Sequence, residues 1–111
     1  MNQVVITQTA IDCALDIEDF NAPRIGRDEA QALAYSLIDD AEAHLSENPL
    51  RFRACAEIAD YGLDVRERID SRGYRTLFSV TEGTVEVLLI LHQRQDIQGA
   101  LYRHLVAYKQ D

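Results

Sequence analysis

This chain of 111 residues has a single lysine, Lys109, and no tryptophan. Nineteen acidic residues stand against eleven lysines and arginines, so the net charge is −8 at pH 7. A protein of this sign gains little from releasing counterions at a phosphate backbone, and its own field repels a polyanion. We therefore expect no direct binding to nucleic acid.

Cysteine is also scarce, and Cys13 and Cys55 lie too far apart for a metal spacing such as C-x2-C. The sequence predicts no metal site and no cofactor. The start MNQVVITQTA lacks the basic and long apolar regions of an export signal, and no apolar run approaches the ~20 residues that a membrane helix needs. We expect a reduced, cytoplasmic protein without a membrane partner, and its length predicts one domain spanning residues 1–111.

The first half of the chain is acidic and is predicted to form a strand and two helices. Residues 3–8 form a short run rich in β-branched side chains, which indicates a strand. Thr9 and Asp12 resemble a capping box that starts a helix ending near Phe20, with Ala10, Cys13, Ala14, Ile17 and Phe20 on its apolar face. Pro and Gly in residues 21–26 predict a break, after which Asp28 and Gln31 cap a second helix that ends at residue 47, before Asn48-Pro49.

The second half changes to a period of two after an unpatterned stretch, residues 49–64. Residues 65–70, 73–80 and 84–92 predict an antiparallel meander, with turns at residues 71–73 and at Glu82-Gly83. In the last strand, apolar residues on both faces predict a central position: Val85, Val87, Leu89 and Leu91 on one face, Leu88 and Ile90 on the other. Residues 97–109 predict a third helix. The order indicates an α+β domain, a helical hairpin packed on a mostly antiparallel sheet with a C-terminal helix.

Three stretches of this chain, with the element order, resemble the ParE/RelE superfamily of bacterial type II toxins, most of all its ParE branch. They are IDCALDIEDF followed by a long helix ending HLSENP, then GYRTLFSVTEGTVEVLLIL, then LHQRQDI. The last is the most specific, because ParE members often close the sheet with L-H-x-R-x-D-[LI]. The likeness spans nearly the whole chain.

The resemblance implies a toxin neutralised in a hetero-oligomer by a ParD-like antitoxin, acting on DNA gyrase without catalysis. The alternative is a RelE-like, ribosome-dependent endoribonuclease of messenger RNA, and a third possibility is a degenerate toxin or simple interaction domain. A ribonuclease needs acid, base and cationic groups on one face. Its candidates here are Arg75, His92 and Arg94, but each also has a structural interpretation: His92 as a strand-end histidine, Arg94 as a partner of Asp96, and Arg75 as an exposed edge charge.

For a gyrase poison the residues of interest are those that can bind a partner, because such a toxin stabilises one state of its target. A sheet edge can accept a strand and a groove can accept an amphipathic helix. The candidate partner-binding residues are Leu33 and Leu37 on the hairpin, Arg66, Arg68 and Arg75 on the sheet, and Tyr102, Arg103 and Tyr108 on the last helix.

Overall fold

The computed structural model describes residues 2–59, 64–95 and 99–100, apart from the side chains of residues 57 and 58. The chain forms, in order, β1 (Gln3–Ile6), α1 (Gln8–Ile25), α2 (Arg27–Leu45), a 3-10 turn (Pro49–Arg51), α3 (Ala56–Ala59), β2 (Arg66–Ile69), β3 (Tyr74–Thr81) and β4 (Thr84–His92). These elements confirm the predicted α+β class. Among the described helices, none is long and apolar enough to cross a membrane.

The described strands form a single mixed sheet in the order β1-β4-β3-β2, with β4 inside it as predicted. Strands β2, β3 and β4 make the predicted antiparallel meander, whereas β1 joins β4 in parallel. The β3–β4 turn is the predicted Glu82-Gly83 pair, and both residues have positive φ angles of 46° and 81°. Positive φ at both central positions is the requirement of a type I′ turn, which suits the right-handed twist of a hairpin.

The apolar faces of β4 differ from the predicted alternation because the β3–β4 register shifts between Leu77 and Phe78. Phe78 lies opposite Val87 and Leu77 lies opposite Leu89, although neighbours on a strand point to opposite faces. Val87 and Leu89 therefore do not share one face, and that prediction was wrong. A bulge re-aims side chains in this way, and it allows Val87, Leu89, Ile90 and Leu91 all to be buried.

Helix α1 begins and ends elsewhere than predicted. Its N-cap is Thr7, not Thr9: the Ala10 amide donates to Thr7 Oγ1 at 3.2 Å, and that hydroxyl donates to the Val87 carbonyl at 2.6 Å. The cap thus also fastens the helix to β4. The helix runs on through Pro23 to Ile25, because proline removes one amide without preventing another turn, and it stops at Gly26, whose φ is 91°.

The longer α1 leaves Phe20 exposed, contrary to its predicted place on the apolar face. Phe20 is 83% exposed, whereas Asn21 is only 5% exposed and lies on the buried face with Cys13 and Ile17. The Asn21 amide donates to the Ile17 carbonyl at 2.8 Å, which satisfies its buried donor.

Helix α2 packs along α1, with Ala30, Ala34, Leu37, Ala41 and Leu45 buried. It ends at Leu45, two residues before the predicted end, and Asn48 takes a left-handed conformation with φ 44° ahead of Pro49. The predicted helix over residues 97–109 lies outside the described residues, except for Gly99 and the buried Ala100, which are helical.

Arg72 ties the β2–β3 turn to α2. Its guanidinium donates to Ser36 Oγ and to Asp40 Oδ2, both at 2.8 Å, and to Asp70 Oδ2 at 3.0 Å. Burial raises the pKa of the Asp70 carboxyl, but hydrogen bonds from the Tyr74 amide and from Arg72 lower it by more, so the net pKa lies below its usual value. The turn is thereby held against the helical hairpin.

Candidate partner-binding groove

A cavity of about 800 Å³, called here the α1 groove, lies between helix α1 and the end of the β3–β4 ladder. It contains the L-H-x-R part of the ending that the sequence singled out. Its described lining consists of Cys13, Asp16, Ile17, Phe20, Asn21 and Arg24 from α1, Tyr74, Ile90, Leu91 and His92 from the strands, and Arg94 and Gln95 from the turn that follows.

The floor of the α1 groove is apolar and its rim is polar. The floor consists of buried core residues, two from helix α1 and two from strand β4: Cys13, Ile17, Ile90 and Leu91. It is therefore an apolar surface to which both the helix and the sheet contribute. The exposed Phe20 ring adds apolar surface at the side of the groove. A large apolar groove with a few polar groups around it suits the apolar face of a helix or an extended segment from another chain.

The Tyr74 and His92 rings meet edge to face at the sheet end of the α1 groove. Their centroids are 5.2 Å apart and their planes are at 88°, because Tyr74 lies directly opposite His92 in the β3–β4 ladder. Tyr74 is half-buried against the core. This ring pair lines the groove at its sheet end.

Arg94 is held at the rim by a tight turn built on His92. The Arg94 amide donates to His92 Nδ1 at 3.2 Å, the His92 amide donates to Gln95 Oε1 at 2.7 Å, and the Gln95 amide donates to the His92 carbonyl at 2.9 Å. The His92 ring thus accepts a hydrogen bond from the backbone of its own turn. His92 therefore has a structural role in the turn.

Arg75 lies apart from the α1 groove, on the opposite side of the sheet from its neighbour Tyr74. It is 7% exposed, and its Nε donates to Glu67 Oε2 at 2.9 Å, with Nη2 contacting the same carboxylate oxygen. The interpretation of Arg75 as an exposed edge charge was wrong, because β3 lies between β2 and β4 in the sheet and Glu67 on β2 provides a buried counter-charge. Of the three ribonuclease candidates, the structure brings together His92 and Arg94 but not Arg75.

The other predicted partner-binding residues are scattered. Leu37 is 4% exposed and belongs to the core, and Leu33 is half-buried beside it. The Arg66 guanidinium donates a hydrogen bond within the protein, to the Phe52 carbonyl at 2.7 Å, whereas Arg68 is half-exposed on β2. Tyr102, Arg103 and Tyr108 lie outside the described residues.

Phe20, Asn21 and Arg24 line the α1 groove and were not predicted as site residues. Arg24 Nη2 donates to Asn21 Oδ1 at 2.6 Å, so the two side chains form one polar unit at the C-terminal part of α1. Their sequence signal was hidden, because residues 21–26 resembled a loop and a Phe spaced three from Ile17 resembled core. Within the described ranges, no group of three or more His, Cys, Asp or Glu side chains could hold a metal ion.

Comparison with known proteins connects this architecture to one family. The family model described as "ParE toxin of type II toxin-antitoxin system, parDE" matches residues 4–97 of this sequence. The chain belongs to the ParE toxin family. The match runs from Val4 in β1 to residue 97, so it includes both long helices and strands β2, β3 and β4.

A solved structure described as "Chromosomal ParDE TA system from P. aeruginosa" has the same fold as this ParE-family chain. The TM-score is 0.68 at 18% sequence identity, and the match covers 83% of this chain and 96% of that chain. At this identity the likeness concerns the fold. A comparison with curated proteins gave no match.

Proposed function

We propose that this protein is a cytoplasmic ParE toxin of a single domain that inhibits DNA gyrase and is neutralised in a hetero-oligomer by a ParD-like antitoxin. Membership of the ParE family, over residues 4–97, is the observation that carries the proposal. The solved ParDE structure supports it, because a chain of a toxin-antitoxin system has the same fold.

The α1 groove is the surface that best suits the antitoxin. A partner helix laid there would cover Phe20, whose ring is 83% exposed, and would reach the buried floor at Ile17 and Ile90. Aromatic residues that enter a pocket are the usual source of binding energy at an interface, while the surrounding charges set orientation. Asp16, Arg24 and Arg94 at the rim offer both signs of charge for that purpose.

Inhibition by binding is better supported than RNA cleavage. A ribonuclease would need a cation close to its acid and base to stabilise the phosphate in the transition state. Of the three candidates only Arg94 remains available at the groove, since the Arg75 guanidinium is engaged with Glu67 below the surface and the His92 Nδ1 is engaged with the backbone of the turn. Inhibition of gyrase requires only that the toxin bind one state of the enzyme more tightly than the others.

The experiment is a supercoiling assay with purified gyrase, relaxed plasmid and increasing amounts of the protein. Expected results are loss of supercoiled product and accumulation of cleaved DNA after the reaction is stopped with detergent and protease. The antitoxin encoded beside the gene, added in equal amount, should restore supercoiling. Absence of any effect on gyrase over the whole concentration range would remove this target.

A parallel experiment separates the ribonuclease alternative. Expression of the protein followed by mapping of transcript ends should show no cuts at fixed positions within codons. If such cuts are found, and if His92→Ala combined with Arg94→Ala abolishes them, the protein acts on messenger RNA and the gyrase proposal is wrong.

A further inference from the structure

The outer edge of strand β2 is only partly used by the fold. Strand β2 is the last strand of the sheet, on the side away from β1. Along its outer side, the Cys55 amide donates to the Val65 carbonyl at 2.8 Å and the Glu67 amide donates to the Arg53 carbonyl at 3.0 Å. The segment before α3 thus covers the beginning of this edge as a short bridge and then turns away.

The rest of the edge presents backbone groups outward. Arg66 and Arg68 direct their amides and carbonyls toward β3, and so does Asp70, whose amide donates to the Tyr74 carbonyl at 2.9 Å. The alternate residues point the other way. In the part of the chain that the structure describes, no backbone hydrogen bond is found for the Glu67 carbonyl or the Ile69 amide on this outer side. An open donor and acceptor of this kind can pair with another strand.

Three arginines lie beside this edge, in a protein whose net charge is −8. A second cavity, of about 400 Å³, is lined by Arg51, Phe52, Arg53, Glu67, Arg68 and Ile69. The one carboxylate among its described lining residues, Glu67, is buried and receives hydrogen bonds from Arg53 Nε at 2.9 Å and from Arg75. Among the described lining residues, arginines therefore outnumber carboxylates by three to one.

Apolar side chains complete this surface. Ile69 is 40% exposed and Leu50 is 59% exposed. The Arg51 guanidinium lies 4.7 Å from the centre of the Phe52 ring, which holds this charge in place at the mouth of the cavity. An added strand places alternate side chains on one face, so it can bring both carboxylates and apolar groups to such a surface.

We propose that this surface, called the basic edge and formed by Glu67–Ile69 with Arg51 and Arg53, takes up an acidic, extended segment of a partner protein as an additional strand. The backbone of the segment pairs with the Glu67 carbonyl and the Ile69 amide, and its carboxylates face the arginines. This site is distinct from the α1 groove. Because it is tested with a synthetic peptide, the result does not depend on whether the antitoxin or gyrase experiments succeed.

A protein segment is favoured over a nucleic acid for two reasons. The open groups at Glu67 and Ile69 form one donor and one acceptor at the spacing of a strand, which a phosphate backbone cannot pair with because it offers acceptors alone. The excess of negative charge over the whole chain also repels a long polyanion, while a short acidic peptide is attracted by the local arginines.

The test uses the full chain and a fluorescent peptide of about eight residues in which valine and glutamate alternate, a length typical of a strand. Fluorescence anisotropy should show saturable binding at about 0.05 M salt that weakens at about 0.5 M salt, where screening is strong. The same peptide with glutamine in place of glutamate should bind at least about tenfold more weakly. A single-stranded DNA oligonucleotide of matched charge is the competing probe; tighter binding of that oligonucleotide would overturn the proposal.

Two pairs of variants locate the site. Arg51→Glu combined with Arg68→Glu should weaken peptide binding by roughly tenfold or more, whereas Arg94→Glu, a charge reversal at the α1 groove, should leave it unchanged. Ile69→Pro removes the outward amide and should reduce binding several-fold below that of Ile69→Ala, which loses the same side chain but keeps the amide. Equal binding by Ile69→Pro and Ile69→Ala, with both folded by circular dichroism, would contradict strand addition. If Ile69→Pro does not fold, the charge reversal becomes the deciding test. Unchanged peptide binding by the variant with both Arg51→Glu and Arg68→Glu would then be sufficient to overturn the proposal.

Discussion

The Arg75 guanidinium lies against the Glu67 carboxylate inside the sheet layer, where the two side chains are only 9% and 3% exposed. Both charges have left water, so their attraction and their hydrogen bonds have to offset a large loss of hydration. The partly buried Arg53 Nε contact to the same carboxylate adds one more donor. The stability of the edge of the sheet should therefore depend on keeping this pair complete.

Removing one member of the Glu67–Arg75 pair should be much more harmful than removing both. Glu67→Gln or Arg75→Met alone should lower the free energy of unfolding by about 3–5 kcal/mol, because one buried charge stays unpaired. The double variant Glu67→Leu, Arg75→Met should recover most of that loss. Urea unfolding followed by circular dichroism measures all three, and additive losses in the double variant would contradict the argument. Arg27→Ala, which breaks an exposed ion pair, is the control and should leave the unfolding midpoint unchanged.

Asp70 should make the protein sensitive to acid. Its folded-state pKa is depressed, so its contribution to stability is present above the unfolded pKa of about 4 and is lost as pH falls through the folded pKa. The difference in unfolding free energy between wild type and Asp70→Asn should be constant from about pH 7 to about pH 5 and should shrink below about pH 4. Asp39→Asn, on the exposed face of α2, is the matched control. A difference that grows with acidification would refute the assignment.

The β3–β4 turn contains a residue poorly suited to its backbone. Glu82 has a φ of 46°, a conformation that asparagine tolerates better than glutamate, while Gly83 at 81° has no such strain. Glu82→Asn should raise the free energy of unfolding by up to about 1 kcal/mol, and Gly83→Ala should lower it by about 1–2 kcal/mol. A Cβ at Gly83 would meet nothing within 4 Å, so the loss comes from the backbone alone. Thermal unfolding measures both, and a stabilising Gly83→Ala would show that the turn is of another type.

Phe20 should matter for partner binding and little for folding. Phe20→Ala removes a ring that is 83% exposed, so the unfolding midpoint should not fall, but affinity for the antitoxin should drop by about 2 kcal/mol if the ring is covered in the complex. Leu15→Ala is the control, since Leu15 is half-exposed on the same helix and lies outside the groove lining. Calorimetric titration of both variants with the antitoxin distinguishes them. Equal loss of affinity in both would place the antitoxin elsewhere on the toxin.

The order of elements was predictable from the sequence because it depends on periods of hydrophobicity that extend over whole elements. The place of β4 inside the sheet followed from apolar residues on both of its faces, and the observed strand order confirms it. The helix boundaries were less accessible. A threonine in either of two neighbouring positions can cap α1, and only the contact between Thr7 and β4 selects one of them.

The candidate site was predictable only in part, since it is made of residues that depart from local rules. Asn21 and Pro23 resembled a loop, yet both continue α1, and Asn21 lines the groove. Arg75 resembled a surface charge because its partner, Glu67, is on another strand and cannot be recognised from spacing. The shift between Leu77 and Phe78 likewise has no sequence signature. Such features arise from packing between distant segments, which a periodic pattern does not report.

The pairing of β1 with β4 has a consequence for how the toxin is made. Val4 pairs with Val85 and Ile6 pairs with Val87. Strand β1, the first of the four to be synthesised, therefore has no partner strand until β4, the last of the four, has been synthesised. Contacts of such long range delay folding until both segments are available. A nascent chain therefore has no complete sheet until β4 has been synthesised, and we expect the toxin to acquire its binding surfaces only after that point. An antitoxin already present in the cell would meet each new molecule at that moment.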